Sequence, residues 1–332
     1  MGAVPMQMHV ELERLTLKAP FRISGYTFTE VPVVVCTLRS GVARGRGEAA
    51  GVYYLDDTPE RIANTLVSHR SRIEQGMDRE RLLELLPAGG ARNALDCALW
   101  ELEAQLSGRS VWQLAGLDGV HPRLTTFTLS ADEPSAVARA ARQLPHARAI
   151  KLKLNGDLEA DIARVRAVRR VRPDAWLGVD ANQGYLLEGL KALLPALVEA
   201  QVQLLEQPVP RGREAELERI ESPIPIAADE SLQALSDLSA LAGRFDVVNI
   251  KLDKCGGLTE ALRIASEARR LGLQVMVGNM VGTSWAMAPA FVLAQLCDYV
   301  DLDGPTFITN DRTPSVTYES GSIQCADAVW GS

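Results

Sequence analysis

The 332-residue chain is 47% apolar and 23% charged, with 26 glycines and 17 prolines. That composition excludes a disordered or collagen-like chain and supplies a large core without disulfide staples. Forty-two acidic against 35 basic residues leave a formal charge of −7, which argues against a nucleic-acid or membrane-surface binder and for a small-molecule partner, a composition compatible with a homo-oligomer. Five cysteines, Cys36, Cys97, Cys255, Cys297 and Cys325, are scattered without CxxC spacing and read as core thiols in a reducing compartment. No apolar run reaches the roughly 18 residues of a membrane span. The opening MGAVPMQMHVELERL carries charges where a secretory signal needs an apolar stretch, so the expected location is the cytoplasm.

In chain order, residues 6–16 and 31–39 alternate apolar and polar positions with many β-branched residues, predicting two strands joined by a turn-rich stretch, KAPFRISGYTFTE. GVARGRGEAAGVYY predicts a third strand. From Thr58 the pattern becomes helical, and Leu95, Leu99, Leu102 and Leu106 recur at three- and four-residue steps, placing one apolar stripe on a helix.

From residue 124 short apolar runs alternate with amphipathic segments. The predicted strands are 124–130, 149–154, 176–180, 202–207, 225–229, 246–252, 273–279 and 299–303. Near-continuous apolar strands separated by helices describe parallel βα units. Eight of them, with no GxGxxG after the first, favour a closed barrel over an open doubly wound sheet. The helix after the seventh strand is less regular than the others, and the tail 306–332 reads as loop that returns over the first domain.

Barrels of this kind build their sites at the C-terminal ends of the strands, and those ends are charged here. Strand two ends in Lys151 and Lys153, strand three in Asp180, strand four in Glu206, strand five in Asp229, strand six in Lys251, and strand eight in Asp301 and Asp303. A single such charge is ordinarily a solvated loop residue or a helix cap. A succession of lysine, acid, acid, acid, lysine at one end of consecutive strands is not explained that way. Three carboxylates converging on one point repel one another unless a cation sits among them, and an all-oxygen set selects Mg²⁺ first and Mn²⁺ second. His9, His69, His121 and His146 all fall outside the strand ends, which disfavours zinc and a histidine-dependent nucleophile. Lysines on strands two and six face each other across an eight-stranded barrel. Beside a metal their pKa values fall toward neutrality, so two bases could remove a proton from one face of a carbon and return it to the other, through an enediolate. Strand eight is expected to lie away from the three carboxylates.

KLK at 151–153, DAN at 180–182, EQP at 206–208, DES at 229–231 and NIKLDKCGG at 249–257 resemble the enolase superfamily, muconate-lactonizing-enzyme subgroup. The gaps of 27, 26, 23 and 22 residues from Lys153 through Asp180, Glu206 and Asp229 to Lys251 fit that family. PF at 20–21, GRGEA at 45–49 and ARNALDCALWEL resemble its capping domain. The resemblance implies an α/β fold, a modified (β/α) TIM-type barrel over 124–305, with an N-terminal α+β capping domain over 1–123 completed by the tail 306–332. It implies Mg²⁺ on Asp180, Glu206 and Asp229, with Lys153 and Lys251 as bases and Lys151 beside them.

YVDLDGP at 299–305 resembles the DxD of dipeptide epimerases, by which Asp301 and Asp303 would hold the substrate's ammonium. The bland reading of the same residues is a turn before Gly304 and Pro305. The implied activity is Mg²⁺-dependent inversion at the α-carbon of a dipeptide's C-terminal residue. N-acyl amino acid racemisation, cycloisomerisation and an o-succinylbenzoate-synthase-like dehydration are the alternatives within the subgroup, and a noncatalytic binding barrel is the alternative outside it. Two departures bear on the substrate. Arg22 is the sole arginine in the segment where Ala-Glu epimerases look to carry one for the glutamate side chain, and GNMVGTS follows strand seven where some relatives carry a carboxylate.

Overall fold

The computed structural model describes residues 5–23 and 26–332. The first four residues of the expected non-secretory N-terminus, and residues 24 and 25 of the expected turn, lie outside them.

Three antiparallel strands, Gln7–Ile23, Tyr26–Ser40 and Ala43–Ala49, form the first sheet in sequential order. The stretch read as a turn is therefore mostly strand, with a break in register between Thr16 and Phe21. The third strand is shorter than predicted and gives way to a single 3₁₀ turn, Tyr53–Leu55, so the GVYY segment crosses the mouth of the barrel instead of extending the sheet. Thr58 then caps a helix over Pro59–Ser68, with proline at its first position, where a missing N–H costs nothing.

The long helix Gly90–Ser107 packs Leu95, Leu99 and Leu102 against Val34, Cys36 and Leu38 of the sheet. Leu106, the fourth member of the predicted stripe, is half exposed. The opposite side of the helix is buried as well, because it is wedged between sheet and barrel: Trp100 Nε1 donates to Thr259 Oγ1 at 2.9 Å, and the Thr259 N–H donates to Asp96 at 2.9 Å. Contact on the sheet side is backbone-close. A Cβ added at Gly47 would sit 2.0 Å from the Ala94 carbonyl oxygen, so GRGEA is a packing requirement.

Eight parallel strands follow in consecutive spatial order: Thr126–Leu129, Ala149–Lys153, Trp176–Asp180, Leu204–Glu206, Ile226–Ala228, Val247–Ile250, Gln274–Val277 and Tyr299–Val300. Each lies within its predicted run. The connections are less uniform than the sequence suggests. A 3₁₀ segment, Glu214–Arg219, follows strand four, and a 3₁₀ turn with a four-residue helix, Leu238–Leu241, follows strand five. The helix after strand seven, Ser284–Ala294, is buried nearly all round because the tail and the third capping strand pack against it. A helix covered on both sides has no polar stripe to betray its period.

No backbone ladder joins strands one and eight among the described residues. Side chains cross that seam instead: Thr126 Oγ1 donates to Asp301, the Thr128 N–H donates to Asp303, and the Leu302 N–H donates to Thr125 Oγ1. The tail is not structureless. Thr317–Glu319 and Ser322–Gln324 make a hairpin that adds Arg123–Leu124 as a third strand. Trp330 Nε1 reaches the Arg46 carbonyl at 2.7 Å, and Ile308 bridges to Leu17. Glu48 links the two units again, accepting from the Thr283 N–H at 2.7 Å and pairing with Arg312 at 2.9 Å.

Four of the five cysteines are buried, Cys325 is partly exposed, and all are free thiols. Among the described residues no helix is long and apolar enough to cross a membrane.

Candidate active site

Strand register assembles the charged cluster. Lys153 is the Cα partner of Asp180, and Asp180 of Glu206, so three consecutive strand ends carry level side chains on one face of the pleat. Asp229 and Lys251 continue the row immediately after strands five and six. All five are at least nine-tenths buried, as are Lys151, Asp301 and Asp303.

Asp180, Glu206 and Asp229 each offer an oxygen, all within 4.8 Å of one another. They are the one such group among the described residues, and no histidine belongs to it. Buried, convergent and purely oxygen-bearing, the set fits a hard divalent cation with positions left for water or substrate.

In the protein alone the lysines neutralise these acids. Lys153 pairs with Asp180 at 2.6 Å. Lys151 is shared among Glu206 at 2.8 Å, Asp301 at 2.9 Å and Asp180 at 3.2 Å. Lys251 pairs with Asp229 at 2.7 Å.

The field has clear signs. Burial works to raise the Asp180 carboxyl, but Lys153 and Lys151 outweigh it and hold the group low. Asp229 is likewise held well below the usual range by Lys251 and Lys254. Burial and the charge of Asp180 push Glu206 up. Against the desolvation that would lower them, Lys151 is held above its ordinary value chiefly by Asp301 and Glu206, and Lys251 chiefly by Asp229. These are the directions in the protein alone, where lysines facing carboxylates are stabilised as ammonium ions; the lowering expected from sequence is for lysines beside a bound metal.

Strand eight is not remote from the cluster. Asp301 is bonded to both Thr126 and Lys151, so it closes the barrel seam and holds the lysine that touches two members of the acidic triad. Asp303 accepts from the Thr128 N–H at 2.6 Å, and burial next to Asp301 raises its carboxyl to about 7. Both line the cavity, with Lys151, Lys153 and Lys251.

Among the polar residues inside the quoted motifs that sequence reasoning left unassigned, Lys254, Asn182 and Glu230 stand at the cluster or its cavity. Lys254 is fully buried and donates to the Asn249 carbonyl at 3.1 Å and to Asp229 Oδ1 at 2.5 Å. Its signal was the three-residue step from Lys251: the one-turn helix Leu252–Cys255 carries the later lysine back to the strand end. That turn must pass close to the capping helix, and a Cβ at Gly257, whose φ is +108°, would meet the Asp96 carboxylate at 2.5 Å. Asn182 and Glu230 each follow a metal-type acid by one or two residues and line the cavity. Each keeps one buried oxygen without a hydrogen-bond partner.

The cavity, about 340 Å³, lies between these strand ends and the capping unit. Its second wall was not foreseen at all. Phe21, Phe28, Val31, Tyr53 and Tyr54 come from the capping strands and the turn after them, Val281 from the loop after strand seven and Phe307 from the start of the tail. Arg22 is not part of it, being paired with Asp132 at 2.9 Å near the surface.

Residues 6–116 match the mandelate racemase/muconate lactonizing enzyme N-terminal domain, and residues 135–328 match the enolase C-terminal domain-like family. The L-Ala-D/L-Glu epimerase of Escherichia coli K12 is 40% identical over 94% of this chain and 97% of its own. The N-acetyl-D-glutamate racemase of a Pseudoalteromonas species is 42% identical over 77% of this chain and 80% of its own. A crystal structure of a dipeptide epimerase from Methylococcus capsulatus, in complex with Mg and L-Arg-D-Lys, superposes with a TM-score of 0.91 at 31% identity and covers 98% of both chains. Epimerases and racemases are isomerases. With both of its domains matched and the charged strand ends assembled on one cavity, the chain belongs to the mandelate racemase/muconate lactonizing enzyme group of the enolase superfamily.

Proposed function

We propose that the protein is an Mg²⁺-dependent epimerase that inverts the α-carbon of the C-terminal residue of a dipeptide, one lysine removing the α-proton from one face and a second lysine donating a proton to the other. The observation that carries this reading is that Lys153 and Lys251, from the second and sixth of eight strands, line one cavity while each is ion-paired to a different acid of the triad.

Asp180, Glu206 and Asp229 would hold Mg²⁺, which when bound supplies positive charge that offsets the three carboxylates and favours the enediolate form of the substrate. With those acids engaged, Lys153 and Lys251 would be released from their ion pairs to face the substrate. Lys153 Nζ takes the α-proton from one face of the substrate and Lys251 Nζ delivers one to the other; for the opposite enantiomer the roles reverse. Lys151, fixed by Asp301, stays charged and steadies the developing negative charge. The aromatic capping wall excludes water from the exposed carbanionic face.

Asp301 and Asp303 at the end of strand eight would bind the substrate's ammonium, by Asp303 chiefly, since Asp301 already serves Thr126 and Lys151. That commitment, together with the 42% identical N-acetyl-D-glutamate racemase, supports N-acyl amino acid racemisation as the second reading.

One experiment separates them. The Mg²⁺-loaded protein is incubated in D₂O with matched free-amine dipeptides and N-acetyl amino acids, and α-deuteration is followed by mass. Faster exchange of the dipeptides by tenfold or more supports the epimerase. Faster exchange of the N-acetyl series installs the racemase in its place, and no exchange in either rejects both.

A further inference from the structure

The cavity's capping wall carries information about the substrate that the acidic and basic strand ends do not. Its side chains are neither core nor surface. Phe21, Phe28, Val31, Val281 and Phe307 pack on a small apolar core of Leu15, Leu17, Val33 and Ile308 while keeping part of their own surface toward the cavity. The rings pack in two groups along it: Phe21 and Phe307 lie 4.9 Å apart between centroids, and in the second group Phe28 and Tyr53 lie 5.4 Å and Tyr53 and Tyr54 5.1 Å apart. Apolar surface held half-open on a buried cavity is stabilised by an apolar occupant.

Charge on this wall points the same way. The charged side chains that the capping unit contributes to the lining are Asp57 and Glu60, both acids. The cations among the described lining residues are Lys151, Lys153 and Lys251, each paired to a carboxylate on the opposite wall. Arg22 is turned to Asp132. A carboxylate side chain laid on the capping wall would leave water for aromatic rings and two acids, with no guanidinium to receive it.

We infer that the capping wall is the subsite for the side chain of the residue being inverted and that it selects an aromatic or branched aliphatic side chain over glutamate. This rests on the proton-transfer reading of the site given above and narrows its substrate. A phenyl or isobutyl group would replace water along Phe28, Tyr53 and Val281 while the α-carbon lies between Lys153 and Lys251.

The test is a panel of L-Ala-L-X dipeptides and N-acetyl-L-X amino acids, with X as Phe, Leu, Glu and Arg, each scored for kcat/KM of α-deuteration and for binding to the Mg²⁺-loaded protein by calorimetry. Phe and Leu should exceed Glu and Arg at least tenfold in whichever series reacts. Glu or Arg equal to or above Phe and Leu would overturn the inference, as would a flat ranking. If neither series exchanges, the reaction assignment falls, and the calorimetric ranking alone decides the side-chain subsite by the same tenfold criterion. A second variant checks the wall directly. Val281→Arg adds a guanidinium to the lining and should shift the Glu-to-Leu ratio toward Glu by tenfold or more; an unchanged ratio in the folded variant would place the side chain elsewhere.

Discussion

The two walls of the cavity are built in opposite ways. The barrel wall is buried and ionic: its lysines and acids sit at the ends of parallel strands, and Lys151, Lys153 and Lys251 are each ion-paired to a carboxylate from another strand. The capping wall is half-buried, aromatic and assembled from the first two capping strands, a 3₁₀ turn, the loop after strand seven and the start of the tail. A proton-transfer site demands sub-ångström placement, which adjacent strands provide. Recognition of a side chain demands only shape and the right solvent preference, which loops on a separate unit can vary without disturbing the bases. Under the proposed function, the chemistry and the choice of substrate would be held on different walls of one cavity.

Variants can break that division. The largest effect is expected on the barrel wall. Lys153→Ala or Lys251→Ala should lower epimerisation by at least about 10³-fold, since general-base groups contribute roughly 10²–10⁴ and both faces need one. Each variant should still exchange the α-proton of one enantiomer in D₂O. Exchange of both enantiomers by either variant would show that the two lysines do not serve opposite faces.

Next is Asp229→Asn. It leaves Lys251 and Lys254 facing a neutral amide, and breaking a buried pair by removing one partner costs about 3–5 kcal/mol. Denaturant unfolding of the metal-free protein should show a loss of that size, and Mg²⁺ should no longer raise the midpoint as it does for the unaltered chain.

The junction between the walls is expected to respond to pH. Asp253 is buried, accepts from the Gly51 N–H at 2.9 Å, and burial raises its carboxyl from 3.8 to about 7. Between about pH 4 and 7 the unfolded chain has lost that proton and the folded chain keeps it, so this group makes stability fall as pH rises through the window and level off above it. At 1.36 kcal/mol per unit the fall is at most about 4 kcal/mol. Asp253→Asn should flatten the slope in unfolding measured across this range; an unaltered slope would show that another group controls it.

The smallest effect belongs to the capping wall. Phe28→Ala removes part of the lining and should cost about 10- to 100-fold in kcat/KM for the best substrate, the equivalent of a partly lost 1.5–3 kcal/mol of apolar burial. The deuterium-exchange symmetry between enantiomers should not change. A loss as severe as that of the lysine variants would mean that the wall also positions the reacting carbon.

The ionic wall was legible in the linear chain because parallel strands recur at a nearly constant spacing and each catalytic-type residue closes an apolar run. Period, length and terminal charge then coincide at Lys153, Asp180, Glu206, Asp229 and Lys251. Lys254 escaped because a single helical turn, and no strand, returns it to the site. The weak connections after strands four and five escaped because short 3₁₀ segments have no periodicity to read. The stripe through Leu106 overreached, since a helix packed on two sides does not obey a one-face pattern.

What the sequence by itself determined is the barrel and the order of charges around its mouth, since both are local properties of a repeating strand and its last residue. Only the tertiary structure decided how those charges pair, that Asp301 closes the seam and steadies Lys151, and that Phe21, Phe28, Tyr53, Val281 and Phe307 share one wall. Pairing energies fall off within a few ångströms, and the partners here are up to 175 residues apart along the chain. No local pattern encodes such a distance; it is set by the closure of the barrel and the docking of the capping unit upon it.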